Sequence, residues 1–115
     1  MKRLMIALMA MAPTATLAVE CSFVTECYEA DACYETAYDL TLTPSDDYAT
    51  ATVETIAGNF EATAYNFQGM SSYAGSTSST LHLITYSASG AARYAVHTGD
   101  ENGVTMITYH GTCTR

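Results

Sequence analysis

Histidines and cysteines are the side chains of this chain best suited to hold a metal, move a proton or form a cross-link, and their spacing decides among those uses. His82 and His97 lie on either side of a Ser89-Gly90 turn signal. If that dipeptide is a two-residue hairpin loop, Ala88 pairs with Ala91. The two imidazoles then oppose each other across the strands with Cβ atoms about 5 Å apart. Imidazoles that close could share a metal ion, or repel once protonated below about pH 6.5. A protein metal site needs a third and a fourth ligand, and His110 falls on the other face in this register. His82 and His97 are therefore the candidate metal pair, but the expected state is two solvent-facing side chains with no metal and no other cofactor.

Cys21, Cys27, Cys33 and Cys113 lack the close ligand pairs of a structural zinc site, and no paired-histidine motif accompanies them. An even number of cysteines in an exported chain reads instead as two disulfides. Three connectivities fit four cysteines. The expected one joins Cys21 to Cys113, tying the two ends of the exported chain, and Cys27 to Cys33, closing a short local loop. Around them stand Glu26, Glu29, Asp31 and Glu35, and Asp100-Glu101-Asn102 tips a later hairpin. Neither group has calcium-loop spacing, so solvated surface is expected of both. No nucleophile elbow, phosphate loop or zinc-protease motif occurs, and no serine or acid is set apart by a neighbouring base. No catalytic residue is assigned.

The amino terminus sets the compartment. Lys2 and Arg3 precede an apolar run from Leu4 to Ala12, then Pro13 and small residues ending Thr16-Leu17-Ala18. This is the pattern of a signal peptide over residues 1–18, too short to span a bilayer. Lipidation of Cys21 is disfavoured because Glu20 stands where the lipoprotein pattern wants a small neutral residue. Residues 19–115 then form one small domain, periplasmic or secreted and without a membrane anchor. Losing Lys2 and Arg3 leaves two arginines against twelve carboxylates, a net charge of −10. Such a chain repels nucleic acid and anionic lipid, and steers toward a basic envelope or secreted protein if toward anything.

The elements that must position these residues are strands. The exported part is rich in Thr, Tyr, Val and Ala and has no Trp and no Lys. Tyr38, Leu40 and Leu42 alternate with Ala37, Asp39 and Thr41, the signature of a half-buried strand over Thr36–Thr43. Pro44-Ser45-Asp46-Asp47 supplies a turn. Strands follow over Tyr48–Ala57 and Phe60–Phe67, joined by Gly58-Asn59. Gln68–Ser79, full of Gly and Ser, reads as the longest loop, and one helical turn fits between Thr25 and Thr36. Strands at Thr80–Ala88, Ala91–Thr98 and Val104–Thr112 complete a meander, the last two joined by Gly99–Gly103. The implied register puts Leu81, Leu83, Tyr94, Val96, Val104 and Met106 on one core face. With one or two strands in the Cys-rich segment, the expected fold is all-β, an antiparallel barrel of seven or eight strands; a two-sheet sandwich is the alternative.

Ser87-Ala88-Ser89-Gly90-Ala91-Ala92-Arg93-Tyr94 resembles the Ser-Ala-Ser-Gly-Ala-Arg/Lys-Tyr segment of bacterial periplasmic and membrane-bound C-type lysozyme inhibitors. The resemblance implies a small exported antiparallel barrel and an inhibitory serine at Ser89, or at Ser87. Where that family carries an aromatic residue followed by Lys-Gly, this chain has Tyr109-His110-Gly111, so the family's lysine is absent. Ser89 and Arg93 are the partner-binding candidates on this basis. The Cys-rich amino end and Tyr109–Cys113 are also similar to small exported proteins of marine α-proteobacteria, which implies no activity. The expected function is a non-enzymatic binding or structural module of the cell envelope. A lysozyme-inhibitor-like protein is the sharper alternative, and a small hydrolase or a ligand-holding barrel the remaining ones.

Overall fold

A computed structural model describes residues 17–114. The expected signal peptide therefore lies outside the described residues, apart from its last two positions. Eight strands follow one another around a closed antiparallel barrel, each hydrogen-bonded to its chain neighbours and the last to the first. They are β1 (Val19–Tyr28), β2 (Cys33–Pro44), β3 (Thr50–Thr55), β4 (Gly58–Phe67), β5 (Met70–Thr77), β6 (Thr80–Tyr86), β7 (Ala91–Asp100) and β8 (Gly103–Thr114). Closure excludes the two-sheet alternative and leaves no unpaired sheet edge. The expected helical turn is absent, since β1 runs to Tyr28 and β2 begins at Cys33.

Alternation sets the inside. Val19, Cys21 and Phe23 of β1, Leu40 and Leu42 of β2, Ala51 and Val53 of β3, Ala62 of β4, Tyr73 of β5, Ile84 and Tyr86 of β6, Ala92 and Tyr94 of β7, and Cys113 of β8 are buried together. Outward positions carry Glu20, Glu35, Asp39, Glu54 and Glu61. A wall apolar inside and charged outside reverses the polarity of a membrane-spanning barrel. Both expected disulfides are formed, Cys21–Cys113 across the β1–β8 seam and Cys27–Cys33 across the β1–β2 turn. They suit an oxidising compartment.

The hairpin registers differ from expectation by one residue. The β6–β7 connection is a four-residue turn over 87–90, with Gly90 N–H donating to Ser87 O and Gly90 at φ 99°. Tyr86 consequently pairs with Ala92, and His82 opposes Val96 rather than His97. The β7–β8 loop is also shorter, because Asp100 pairs with Gly103 and caps the turn by accepting from Asn102 N–H. A slip of one residue exchanges faces. Leu81, Leu83, Val104 and Met106 thus point outward, 61%, 44%, 69% and 36% exposed, while Ile84 and Tyr86 take the core places. Tyr94 and Val96 are on the inner side as expected.

Two further differences concern β5, whose side chains are too small to advertise a strand, and the β3–β4 turn. Gln68–Ser79 is mostly β5, flanked by tight turns with positive φ at Gln68, Gly69 and Ser78. Its outward residues are Ser72, Ala74 and Ser76, and its inward ones include Gly75, which lies under the Phe60 ring. The β3–β4 turn falls at 56–57, and Gly58 already belongs to β4, pairing with Thr55.

Candidate functional site

The barrel end at which the chain turns at 29–32, 56–57, 78–79 and 101–102 has an aromatic mouth. Residues opposite each other on antiparallel strands share a face. The row Tyr34, Glu26, Tyr109, Tyr94 therefore points inward from β2, β1, β8 and β7. A bulge places it there, because the β1 register shifts between Phe23 and Thr25 and turns Glu26 toward the lumen. Tyr38, Tyr94 and Tyr109 stack on one another with ring centroids 5.1, 5.3 and 6.0 Å apart. Above them Tyr28 meets Tyr34 edge to face at 6.3 Å and donates its hydroxyl hydrogen bond to Glu26. On the far wall Phe60 stacks on His82 at 4.2 Å. A cavity of about 160 Å³ opens there, lined by Tyr38, Phe60, His82 and Tyr94 together with Thr55, Asn59 and Thr77.

His82 is held at both nitrogens, Nε2 at 2.9 Å from Thr77 Oγ1 and Nδ1 at 2.8 Å from the Tyr94 hydroxyl. A hydroxyl, an imidazole and an orienting group in line have the connectivity of an activated nucleophile. The third member here is a phenol, not a carboxylate. Burial holds Tyr94 neutral by pushing its pKa well up, and burial also lowers that of His82. The chain of bonds ties β5, β6 and β7 together along this wall. Tyr109 is pushed up to about 12 by burial, then by Glu26, Tyr38 and Tyr28. Tyr28 is raised by its bond to Glu26 above all.

The shifts bound a window of stability. His82 resists protonation in the fold, so its contribution is present above 6.5 and is lost as the pH falls. Tyr94 and Tyr109 resist ionisation, so theirs is present below the ordinary phenol value of 10.0 and, for Tyr109, is lost through about 12. Urea midpoints measured against pH are expected to decline on both sides of that window. On the alkaline side, the loss should track tyrosinate absorbance.

The other candidate residues are scattered. His97 lies on the outer wall opposite Leu81 and Met106 and is exposed, so His82 and His97 are not the expected cross-strand partners, although both line one depression together with Glu61. No group of three or more metal-type ligands occurs among the described residues. Ser89 is exposed in the 87–90 turn at the opposite end of the barrel, its Oγ 2.9 Å from that of Ser87. Arg93 points outward from β7, donates to Ala92 O, and lies directly across from His110. His110 Nε2 in turn approaches Cys27 Sγ at 4.0 Å.

No family model, curated protein or solved structure matches this chain. The site therefore rests on its own geometry. The tyrosine mouth was missed in sequence, although Tyr34 and Tyr38 share the parity of Leu40 and Leu42 and so announce which way they face.

Proposed function

We propose that this chain is an exported, non-enzymatic binding module of the cell envelope whose aromatic mouth and acidic β1–β4 wall receive the basic groups of a partner protein. One observation carries this reading. Glu26 stands inside a ring of tyrosines, and among the described residues no cationic side chain faces it. A carboxylate beside aromatic faces attracts an ammonium or guanidinium group through charge and through the ring quadrupole. Ten of the twelve carboxylates lie between residues 20 and 61, which orients the approach of a basic body toward that wall.

The test is binding of the purified barrel to a strongly basic lysozyme and to a neutral protein of similar size, at low and physiological salt. Affinity for the basic partner should fall as salt rises. Glu26→Gln should weaken it about tenfold, equivalent to about 1.4 kcal/mol. Equal affinity for both proteins, or indifference to Glu26→Gln, would remove the reading.

A lysozyme-inhibitor-like role is the second reading, favoured by one detail. Arg93 lies opposite His110, so a cation stands beside the position at which the resembling family carries its lysine. Ser89 is exposed at the other end of the barrel, where a turn tolerates change. In a cell-wall lysis assay Ser89→Trp should abolish inhibition and leave the urea midpoint unchanged. Absence of inhibition of every lysozyme class by the unaltered protein would eliminate this role without touching the first.

A further inference from the structure

The outer wall of β5 and β6 sets a groove beside a ridge. Ser72, Ala74 and Ser76 face outward from β5 and are all small, whereas Leu81 and Leu83 face outward from β6 and are 61% and 44% exposed. A depression of about 630 Å³ runs along this wall. Register makes the patch continuous, because Leu83 lies between Ala74 and Ala95, and Leu81 between Ser76 and His97. β5 and β6 themselves carry no carboxylate, since no Asp or Glu occurs between residues 62 and 99, although Glu61 of β4 and His97 of β7 also line the depression. Glu61 is tied to β3 by accepting a hydrogen bond of 2.7 Å from Thr52 Oγ1.

We propose that this wall is a self-association face, on which two copies of the chain dock about a two-fold axis with Leu81 and Leu83 of each seated in the β5 groove of the other. A two-fold interface uses the same patch on both copies, so that patch must present knob and hole together. A leucine ridge immediately beside a groove floored by Ala and Ser does so. Charge selects the occupant. The chain carries a formal net charge of −8, and two copies repel on any approach that brings their β1–β4 walls together. Meeting through β5 and β6 keeps the carboxylates of β1, β2 and β3 apart and brings only Glu61 near the contact. A basic partner is drawn instead to β1–β4, where ten carboxylates lie, so this mainly apolar wall, with Glu61 alone of them at its edge and bonded to Thr52, suits a second copy of the same acidic chain. The mouth opens along the barrel axis and the wall lies at its side, so both are free to be occupied at once.

Sedimentation velocity of the protein, purified with its disulfides formed, tests this over a concentration series from micromolar to millimolar. A monomer–dimer equilibrium is expected, with dimer gained as salt rises because screening removes repulsion. Leu83→Glu should weaken it at least about tenfold, with far-UV circular dichroism unchanged. Leu81→Ser, a milder change at an exposed side chain, reads the same equilibrium if Leu83→Glu fails to fold. Val24→Glu, 62% exposed on the outer face of β1, should leave it as it is. A monomer throughout the series, a dimer untouched by both leucine variants, or a dimer dissociated by salt would each overturn the proposal.

Discussion

Replacing Cys21 and Cys113 together by alanine is expected to lower stability by about 4 to 5 kcal/mol, against about 2 to 3 for the pair Cys27 and Cys33. The two bridges differ in what they withhold from the unfolded chain. Cys21–Cys113 has a sequence separation of 92, Cys27–Cys33 one of 6. Loop-closure entropy rises with the logarithm of ring size, which places the larger ring about 2 kcal/mol above the smaller. Position adds to the difference. Cys21 and Cys113 are 1% and 4% exposed and face each other across the strands that close the barrel. Alanine rather than serine avoids burying an unpaired hydroxyl there. Small domains have about 5 to 15 kcal/mol in all, so the open-seam variant should unfold at a much lower urea concentration, and possession of the local bridge should not rescue it. Equal midpoints for the two variants would show that unfolded-state structure, not chain entropy, sets the contribution.

The difference between what could be read in sequence and what could not lies in how each feature is encoded. β2 was legible because Tyr38, Leu40 and Leu42 alternate with polar neighbours, and the two disulfides because chain-end and local pairing make simple entropic sense. β5 was not, since its outward row is Ser72, Ala74 and Ser76, and its stability comes from β4 and β6 on either side. Register depended on turn length. Reading Ser89-Gly90 as a two-residue loop, where the chain uses all of 87–90, moved the partner of His82 by one place and exchanged the faces of Leu81 and Leu83, and reading Gly99–Gly103 as the loop, where the chain turns at 101–102, did the same to Val104 and Met106. The barrel interior then places His82 beside Phe60 and Tyr94. Parity with Ile84 and Tyr86, both strongly apolar in type, was the signal within β6 that could have put His82 inside. The mouth required more than parity. Glu26 and Tyr109 meet only because β8 closes on β1, and Glu26 turns inward only because of the bulge beyond Phe23.

That seam is also where one methyl group should do most damage. Gly111→Ala is expected to cost about 3 kcal/mol or more, at or beyond the upper end for overpacking, because what the new Cβ meets cannot rotate away. Gly111 pairs with Phe23 beside the β1 bulge. A Cβ there would fall onto the carbonyl oxygen of Ser22 and lie 2.6 Å from the Phe23 Cα, both backbone atoms. Relief requires β1 and β8 to separate, or β1 to lose its bulge. Either movement displaces the Phe23 ring, which is 1% exposed and lies 5.8 and 6.2 Å from the rings of Tyr94 and Tyr109. The change should therefore reach the mouth as well as the seam, lowering the urea midpoint and weakening the near-ultraviolet circular dichroism of the stacked tyrosines. Gly99→Ala is the matched control, because no atom lies within 4 Å of a Cβ built at that position in β7. It should be neutral or slightly stabilising, since alanine restricts the unfolded chain. If Gly111→Ala behaved like Gly99→Ala, the β1–β8 seam would have to be compliant enough to admit a methyl group, and the position of Glu26 would not depend on a tightly closed bulge.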